Sequence, residues 1–350
     1  MNIRVASFIF TLAFAPHLFA RNQTDVVIMK NGDRLTCEIK RLQSGILYVD
    51  LSYVDGTLSV QWSKVARIES KQLFIAQKYD GTLYTGTLAT AQTAETGPMK
   101  LEVVETRTSK VVIDQSDTVR LDQTSESVWR RFSGGINTGL IYSKANNSAQ
   151  YSLGSQLAYR ESRWSADAAY TTNFSASSGA STATRNNLNL KTARFFRWNN
   201  WFYAGLVDFL QSSEQGIKLQ TTVGMGVGRM LKNTNRCRIS VIGGGAWQSI
   251  DYKKPNLPEI TQNQVAALFA AEAKVFIFKK TNLDFTAVLL PSLSQPGRFH
   301  FSTNSVYYVK LFGDIDWNFS FYGNWDTKPP AGFAASDYGS SSGLSWSFGR

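Results

Sequence analysis

From residue 132 to residue 350 the sequence repeats one unit, a run of ten to twelve residues alternating apolar and polar, then a turn. Residues 314–326 show it most clearly. Ile315, Trp317, Phe319, Phe321 and Trp325 share one parity, and Asp316, Asn318, Ser320, Tyr322 and Asn324 share the other. Successive side chains of a strand point to opposite faces, so such a run has an oily face and a wet face. About twelve of these in series predict a closed transmembrane antiparallel β-barrel, apolar outside and polar inside.

Strands are expected near 132–143, 150–160, 163–175, 186–196, 200–211, 218–231, 236–249, 264–278, 281–291, 298–311, 314–325 and 337–348. The connections between them alternate in length. The first, third and later odd ones (144–149, 176–185, 212–217, 251–263, 292–297 and 326–336) are long and rich in Ser, Asn, Pro and Gly. The even ones (161–162, 197–199, 232–235, 279–280 and 312–313) are short. Short periplasmic turns and longer external loops are the habit of bacterial outer-membrane barrels. A soluble β-sandwich has no reason to sort its loops in this way. Aromatic residues make up 13% of the chain, yet mean hydropathy is only -0.20. Many rings without long apolar runs suit barrel girdles better than membrane helices.

The one helical apolar stretch runs from Val5 to Phe19, with Arg4 before it and Leu18-Phe19-Ala20 at its end. It is short for a spanning helix and reads as a secretory signal over residues 1–20, with cleavage near Ala20 or, alternatively, after Ala13-Phe14-Ala15. No Cys follows either site, so no lipoprotein anchor is expected.

Residues 25–123 form a front module of short strands broken by Asn31-Gly32, Ser44-Gly45 and Asp55-Gly56, which are hairpin signals. The module repeats itself. Ser63-Lys-Val-Ala-Arg-Ile-Glu-Ser70 returns fifty-three residues later as Ser116-Asp-Thr-Val-Arg-Leu-Asp-Gln123. Lys30-Asn-Gly-Asp-Arg-Leu35 likewise resembles Lys78-Tyr-Asp-Gly-Thr-Leu83. Two tandem SH3-like or Sm-like β-barrels are expected, over 25–71 and 72–123, with a linker at 124–131. Each is near the lower size limit for a lone core, so they should pack on each other. The alternative is one irregular β-domain whose internal similarity is fortuitous.

Charge and rare residues narrow the function. Residues 25–122 carry 12 Lys or Arg against 13 Asp or Glu, whereas residues 123–350 carry 23 against 13. The basic excess therefore belongs to the barrel. Nucleic acid is not expected as a partner of a secreted chain with no nucleic-acid motif. Cys37 and Cys237 fall in different modules, so no disulfide is expected between them. His17 lies in the signal, which leaves His300 as the one histidine of the mature chain. No metal site or cofactor is expected, because a zinc site needs several converging ligands.

The phrases Lys30-Asn-Gly-Asp-Arg-Leu35 and Trp62-Ser-Lys-Val-Ala-Arg-Ile68, the twelve-strand pattern and the closing Ser345-Trp-Ser-Phe348 together resemble one family. It is domain of unknown function family 481, the family of salt-induced outer membrane proteins. The resemblance implies residence in a Gram-negative outer membrane. It carries no catalytic residues to transfer.

Alternation places Arg160, Asp167, Lys191, Asp208, Arg238, Glu272, Lys274, Asp284, His300, Lys310 and Asp316 on the lumen side. Either these charges pair and close the interior, or they line a small aqueous pore. Twelve strands is well below the porin range of about sixteen or more, and unpaired buried charge is costly, so a narrow or plugged lumen is the expectation. A second group, Arg163, Arg197, Lys232, Arg236, Lys279 and Lys280, should form a basic periplasmic rim that grips anionic head groups. A lipid-hydrolase site is not expected. His300 faces away from the lipid if Phe299 and Phe301 face it, and no Gly-x-Ser-x-Gly elbow is present. The runs Gly224–Gly228 and Gly243–Gly245 sit within strands, not at helix starts, so they are not phosphate loops.

The expected function is a non-enzymatic outer-membrane barrel serving envelope integrity or stress, or passage of small solutes. The alternatives are an outer-membrane lipid-modifying enzyme and a secreted β-rich binding protein. The partners this implies are outer-membrane lipid (anionic phospholipid and lipopolysaccharide), the barrel-assembly machinery, and peptidoglycan or a periplasmic protein. The final aromatic that assembly machineries recognise is displaced here, because Gly349 and Arg350 follow Phe348.

Overall fold

The computed structural model describes residues 23–348 except 55, 92–98, 106–108, 125–131, 144–147, 162, 178–181, 197–198, 254–257, 278–280 and 313–314. The expected signal and nearly all of the expected linker lie outside the described residues. No described helix is long and apolar enough to cross a membrane.

Among the described residues, the front module contains nine strands: β1 (Asp25–Met29), β2 (Arg34–Gln43), β3 (Ile46–Asp50), β4 (Thr57–Gln61), β5 (Val65–Lys78), β6 (Leu83–Thr90), β7 (Lys100–Val104), β8 (Lys110–Asp114) and β9 (Thr118–Gln123). They form one sheet, not two independent barrels. Strand β5 is the reason. Its first half pairs with β1, and its second half pairs with β6 and β9. Because β9 also pairs with β2, the strands β1, β2, β9 and β5 close a small ring. The meanders β3–β4 and β6–β7–β8 extend from it. A single buried cluster, including Val27, Ile39, Leu47, Ile68, Phe74, Leu101 and Leu121, serves the whole module.

One reciprocal contact joins the two halves. Trp62 ends the first hairpin set in a short 3-10 turn, and Gln115 stands fifty-three residues later, the interval that separates the repeated phrases. The Trp62 indole N–H donates to the Gln115 carbonyl at 2.8 Å. The Gln115 side-chain amide donates to the carbonyls of Trp62 and Val65 at 2.6 and 2.9 Å. Both residues are buried. Cys37 is fully buried in the same core. Loss of solvation, then the nearby Asp25, Asp50 and Glu38, push its thiol up to about 12.

The remaining strands are β10 (Phe132–Ser143), β11 (Ser148–Arg160), β12 (Trp164–Ser177), β13 (Ala183–Phe195), β14 (Trp201–Ser212), β15 (Ile217–Asn233), β16 (Cys237–Tyr252), β17 (Ile260–Ile277), β18 (Thr281–Pro291), β19 (Phe299–Phe312), β20 (Ile315–Asp326) and β21 (Ser336–Phe348). They form a closed twelve-stranded antiparallel barrel, each paired with its neighbour, and β21 returns to β10. The strands outrun the sequence expectation mainly at the long-loop end, where β16 extends through Tyr252 and β17 begins at Ile260. The alternation in that loop region was masked by its Pro and Asn residues.

Alternation sorts the faces. On β20, Asp316, Asn318, Asn324 and Asp326 are buried, whereas Trp317 and Phe319 are exposed. The exposed face is the outside of the cylinder. Trp164, Trp201, Tyr203, Trp317 and Trp346 ring it near the short-turn end, and Tyr151, Phe174, Trp247, Phe299 and Tyr338 near the long-loop end. Between them lie Leu190, Val223, Val227, Phe269 and Leu289. An oily band between two aromatic girdles is what a bilayer demands of a barrel exterior.

Three outcomes check this fold. Phe319→Lys places a charge on the band and should cost about 2–4 kcal/mol of unfolding free energy in lipid vesicles, whereas Asn318→Ser on the lumen side should cost much less. In the folded protein Cys37 should resist iodoacetamide at pH 8, since its thiolate forms only near pH 12. A thiol raised in the fold releases its proton first in the unfolded chain, so module stability should fall as pH climbs from about 9.

Candidate functional site

Among the described residues, charged side chains converge in the lumen, and they form two layers there. The layer nearer the short turns holds most of the expected charges. Lys191 on β13 reaches across the bore to Glu272 on β17, at 2.6 Å, over three intervening strands. Asp167 stands opposite Lys191 in the β12–β13 register. Lys274 on β17 pairs with Asp284 on β18 at 3.0 Å. Arg238 lies 5.8 Å from the Phe276 ring, and Lys310 stands opposite the buried Asp316 in register. Asp208 sits deeper, accepting from the amides of Asn187 at 2.9 Å and Asn189 at 3.2 Å. Arg160 is placed by its backbone alone, opposite Ser165. Mid-lumen, Leu206, Ile242, Ala246, Ala266, Leu268, Val288 and Leu290 form an apolar patch on one wall.

The second layer lies toward the long loops and was missed in the sequence. Arg298, only 1% exposed, is its centre. Its guanidinium donates to Asp326 at 3.0 Å, to Gln262 at 2.6 Å, to Gln295 at 2.8 Å and to the Tyr252 hydroxyl at 3.1 Å. Tyr252 in turn donates to Asp326 at 3.2 Å. Phe333, from the last long loop, folds inward and packs its ring 5.0 Å from that of Tyr252. The network continues around the bore. Asn324 donates to Gln215 at 2.7 Å, and Ser212 to Asp337 at 2.6 Å. Arg185 pairs with Asp337 at 2.6 Å and covers the Tyr322 ring at 4.6 Å. These contacts join strands from opposite walls. His300 is buried beside this layer, its Nε2 3.7 Å from Asp326. A polar cavity of about 440 Å³ remains at this end, lined by Gly139, Ser152, Asn173, Arg185 and Asp337 among others.

Of these missed residues, Asp326 carried a readable signal. It continues the parity of Asp316, Asn318 and Asn324, and only its placement in the loop hid it. Arg298 carried one too, since it shares the parity of His300 at the first position of the expected 298–311 strand, although its backbone lies just before β19 begins.

At the short-turn end, Lys232 and Arg236 are exposed and Arg163 is half-buried. Arg197, Lys279 and Lys280 lie outside the described residues. Two further arginines stack on girdle tryptophans, Arg194 over Trp164 at 5.7 Å and Arg229 over Trp201 at 5.5 Å. The front module docks at this same end. Asn200, at the tip of one short turn, donates to the carbonyl of Tyr79 at 2.8 Å. Asn235, at the tip of the next, donates to the carbonyl of Thr118 at 2.8 Å.

A closed sheet with an oily exterior, girdled ends and a polar bore is a membrane-spanning β-barrel. The family described as "Protein of unknown function, DUF481" matches residues 136–348, more than half of the chain. The protein belongs to that family. No curated protein matches the sequence. Among solved structures it is similar to the translocator domain of the autotransporter NalP from Neisseria meningitidis, at 12% identity and a TM-score of 0.36, covering 61% of this chain and 87% of that one. It is also similar to the NanC porin, at 8% identity and a TM-score of 0.37, covering 61% and 98%. Likeness at this level carries no inference about role.

Replacing Arg298 with Met would strand the buried Asp326 carboxylate. Such breakage of a buried pair costs about 3–5 kcal/mol, and the double change Arg298→Met with Asp326→Leu should recover most of it. Urea unfolding of the vesicle-embedded protein measures both.

Proposed function

We propose that this protein is a non-enzymatic outer-membrane barrel that serves envelope integrity, with its lumen closed rather than conducting. The observation that carries the reading is the polar layer at the long-loop end, where the Arg298–Asp326–Tyr252 network occupies the β16–β20 side and the Asn324–Gln215 and Ser212–Asp337 bonds reach across the bore. A pore needs water-filled continuity. Here the cross-lumen Lys191–Glu272 pair adds a second obstruction nearer the other end. The non-enzymatic reading draws support from the setting of His300, which packs beside Asp326 within the lumen wall.

In this reading the short-turn end and the front module face the periplasm, and the long loops face outward. The alternation of turn lengths supports that orientation. We read the module as two SH3-like halves sharing β5, because the orders β4-β3-β2-β1-β5 and β8-β7-β6-β5-β9 repeat one plan. Its position beneath the rim suits contact with peptidoglycan or a periplasmic protein. Folding would depend on the barrel-assembly machinery, and lipopolysaccharide and phospholipid would surround the two ends of the band.

Single-channel recording in planar bilayers tests the closed lumen. The intact protein should stay electrically silent. A variant lacking residues 328–334 and carrying Arg185→Ser, Lys191→Ser and Arg298→Ser should show discrete openings. Stable openings from the intact protein would contradict the reading.

A further inference from the structure

A crevice of about 1230 Å³ separates the front module from the barrel rim below the ends of β15, β16 and β17. Its module wall carries Lys30 and Lys100, and its barrel wall carries Lys232 and Arg236. One acid, Asp114, also lines it. None of the four cations has an ion-pair partner among the described residues. Four cations against one carboxylate, Asp114, which stands opposite Lys100 in register, leave the gap net positive, so the arrangement is satisfied by an anion between the walls.

The crevice is not polar throughout. Ile277, at the last position of β17, lines it and is 52% exposed. Leu231, beside Lys232, is 61% exposed. Both belong to the edge of the oily exterior. A soluble anion would leave that edge wet, and a hydrocarbon alone would leave the cations bare. An amphiphile with a phosphate head and acyl tails meets both walls. The space is also ample, since small-molecule sites commonly occupy about 300–1,000 Å³.

We propose that this crevice binds the headgroup of an acidic phospholipid from the adjoining leaflet, clamped between Lys30 and Lys100 on the module and Lys232 and Arg236 on the barrel rim. The proposal rests on the reading that the short-turn end meets a phospholipid leaflet. The lipid then acts as a third element of the docking, beside the hydrogen bonds from Asn200 and Asn235. Each basic residue contributes about fivefold to affinity for an anionic lipid surface.

The test uses the full chain in dodecyl maltoside micelles, examined by native mass spectrometry with phosphatidylglycerol or phosphatidylcholine added. Intact protein should retain phosphatidylglycerol at least about tenfold over phosphatidylcholine. The variant K30Q/K100Q/K232Q/R236Q should lose that preference, and the half-variants K30Q/K100Q and K232Q/R236Q should each lose part of it. Heat-modifiable gel mobility reports folding in every sample. Equal retention of both lipids by the intact protein, or undiminished preference in a folded fourfold variant, would overturn the proposal. Absence of heat-modifiable mobility in the intact protein would overturn the barrel reading itself, and this proposal with it.

Discussion

Everything in this molecule depends on the β10–β21 seam. Hydrocarbon offers no partner to a backbone amide or carbonyl, and each group left bare there costs several kcal/mol. A sheet can live in a bilayer only if it has no edge. The seam removes the last one by pairing Gly134 through Gly139 with Phe348 back through Gly343. Glycine is required at this junction. A Cβ on Gly343 would stand 1.8 Å from the Thr138 carbonyl oxygen, so a side chain there would force the closing strands apart.

Closure then creates the second problem, an interior wider than that of the eight-stranded barrel, which side chains just fill. The lumen solves it with paired charge. Lys191 and Glu272 meet across the bore, and Arg298 gathers Asp326, Tyr252, Gln262 and Gln295 into one network. A guanidinium suits this place, since its planar fork satisfies several acceptors at once. The loop carrying Phe333 completes the packing. The same logic governs the module below. Strand β5 runs through its one sheet, and the reciprocal Trp62–Gln115 contact ties segments fifty-three residues apart.

The barrel was legible because strand alternation is a local signal. Trp317, Phe319 and their neighbours could be assigned to the outer face from spacing alone. The lumen charges on strand interiors, such as Lys191 and Asp284, were legible for the same reason. The pairing of Lys191 with Glu272 was not, since it depends on which walls face each other after closure. Arg298 shared the parity of His300, but its partners were not legible, and the inward fold of Phe333 was hidden in a loop, where no period applies. The short strands of the front module were visible in its hairpin dipeptides. Their union in one sheet through β5 was not, because a strand that pairs at both ends with different neighbours reads from sequence as two separate segments.

The most direct measurement is a cysteine pair across the seam. Thr138 and Leu344 are register partners on β10 and β21, and facing residues of an antiparallel pair lie within reach of a disulfide. With Cys37 and Cys237 changed to Ser, the Thr138→Cys, Leu344→Cys protein folded in lipid vesicles should oxidise to an intramolecular disulfide in high yield. The Thr138→Cys, Ser340→Cys control should not. Failure of the first pair to cross-link in folded protein would mean that the sheet is open, and the membrane barrel would not stand.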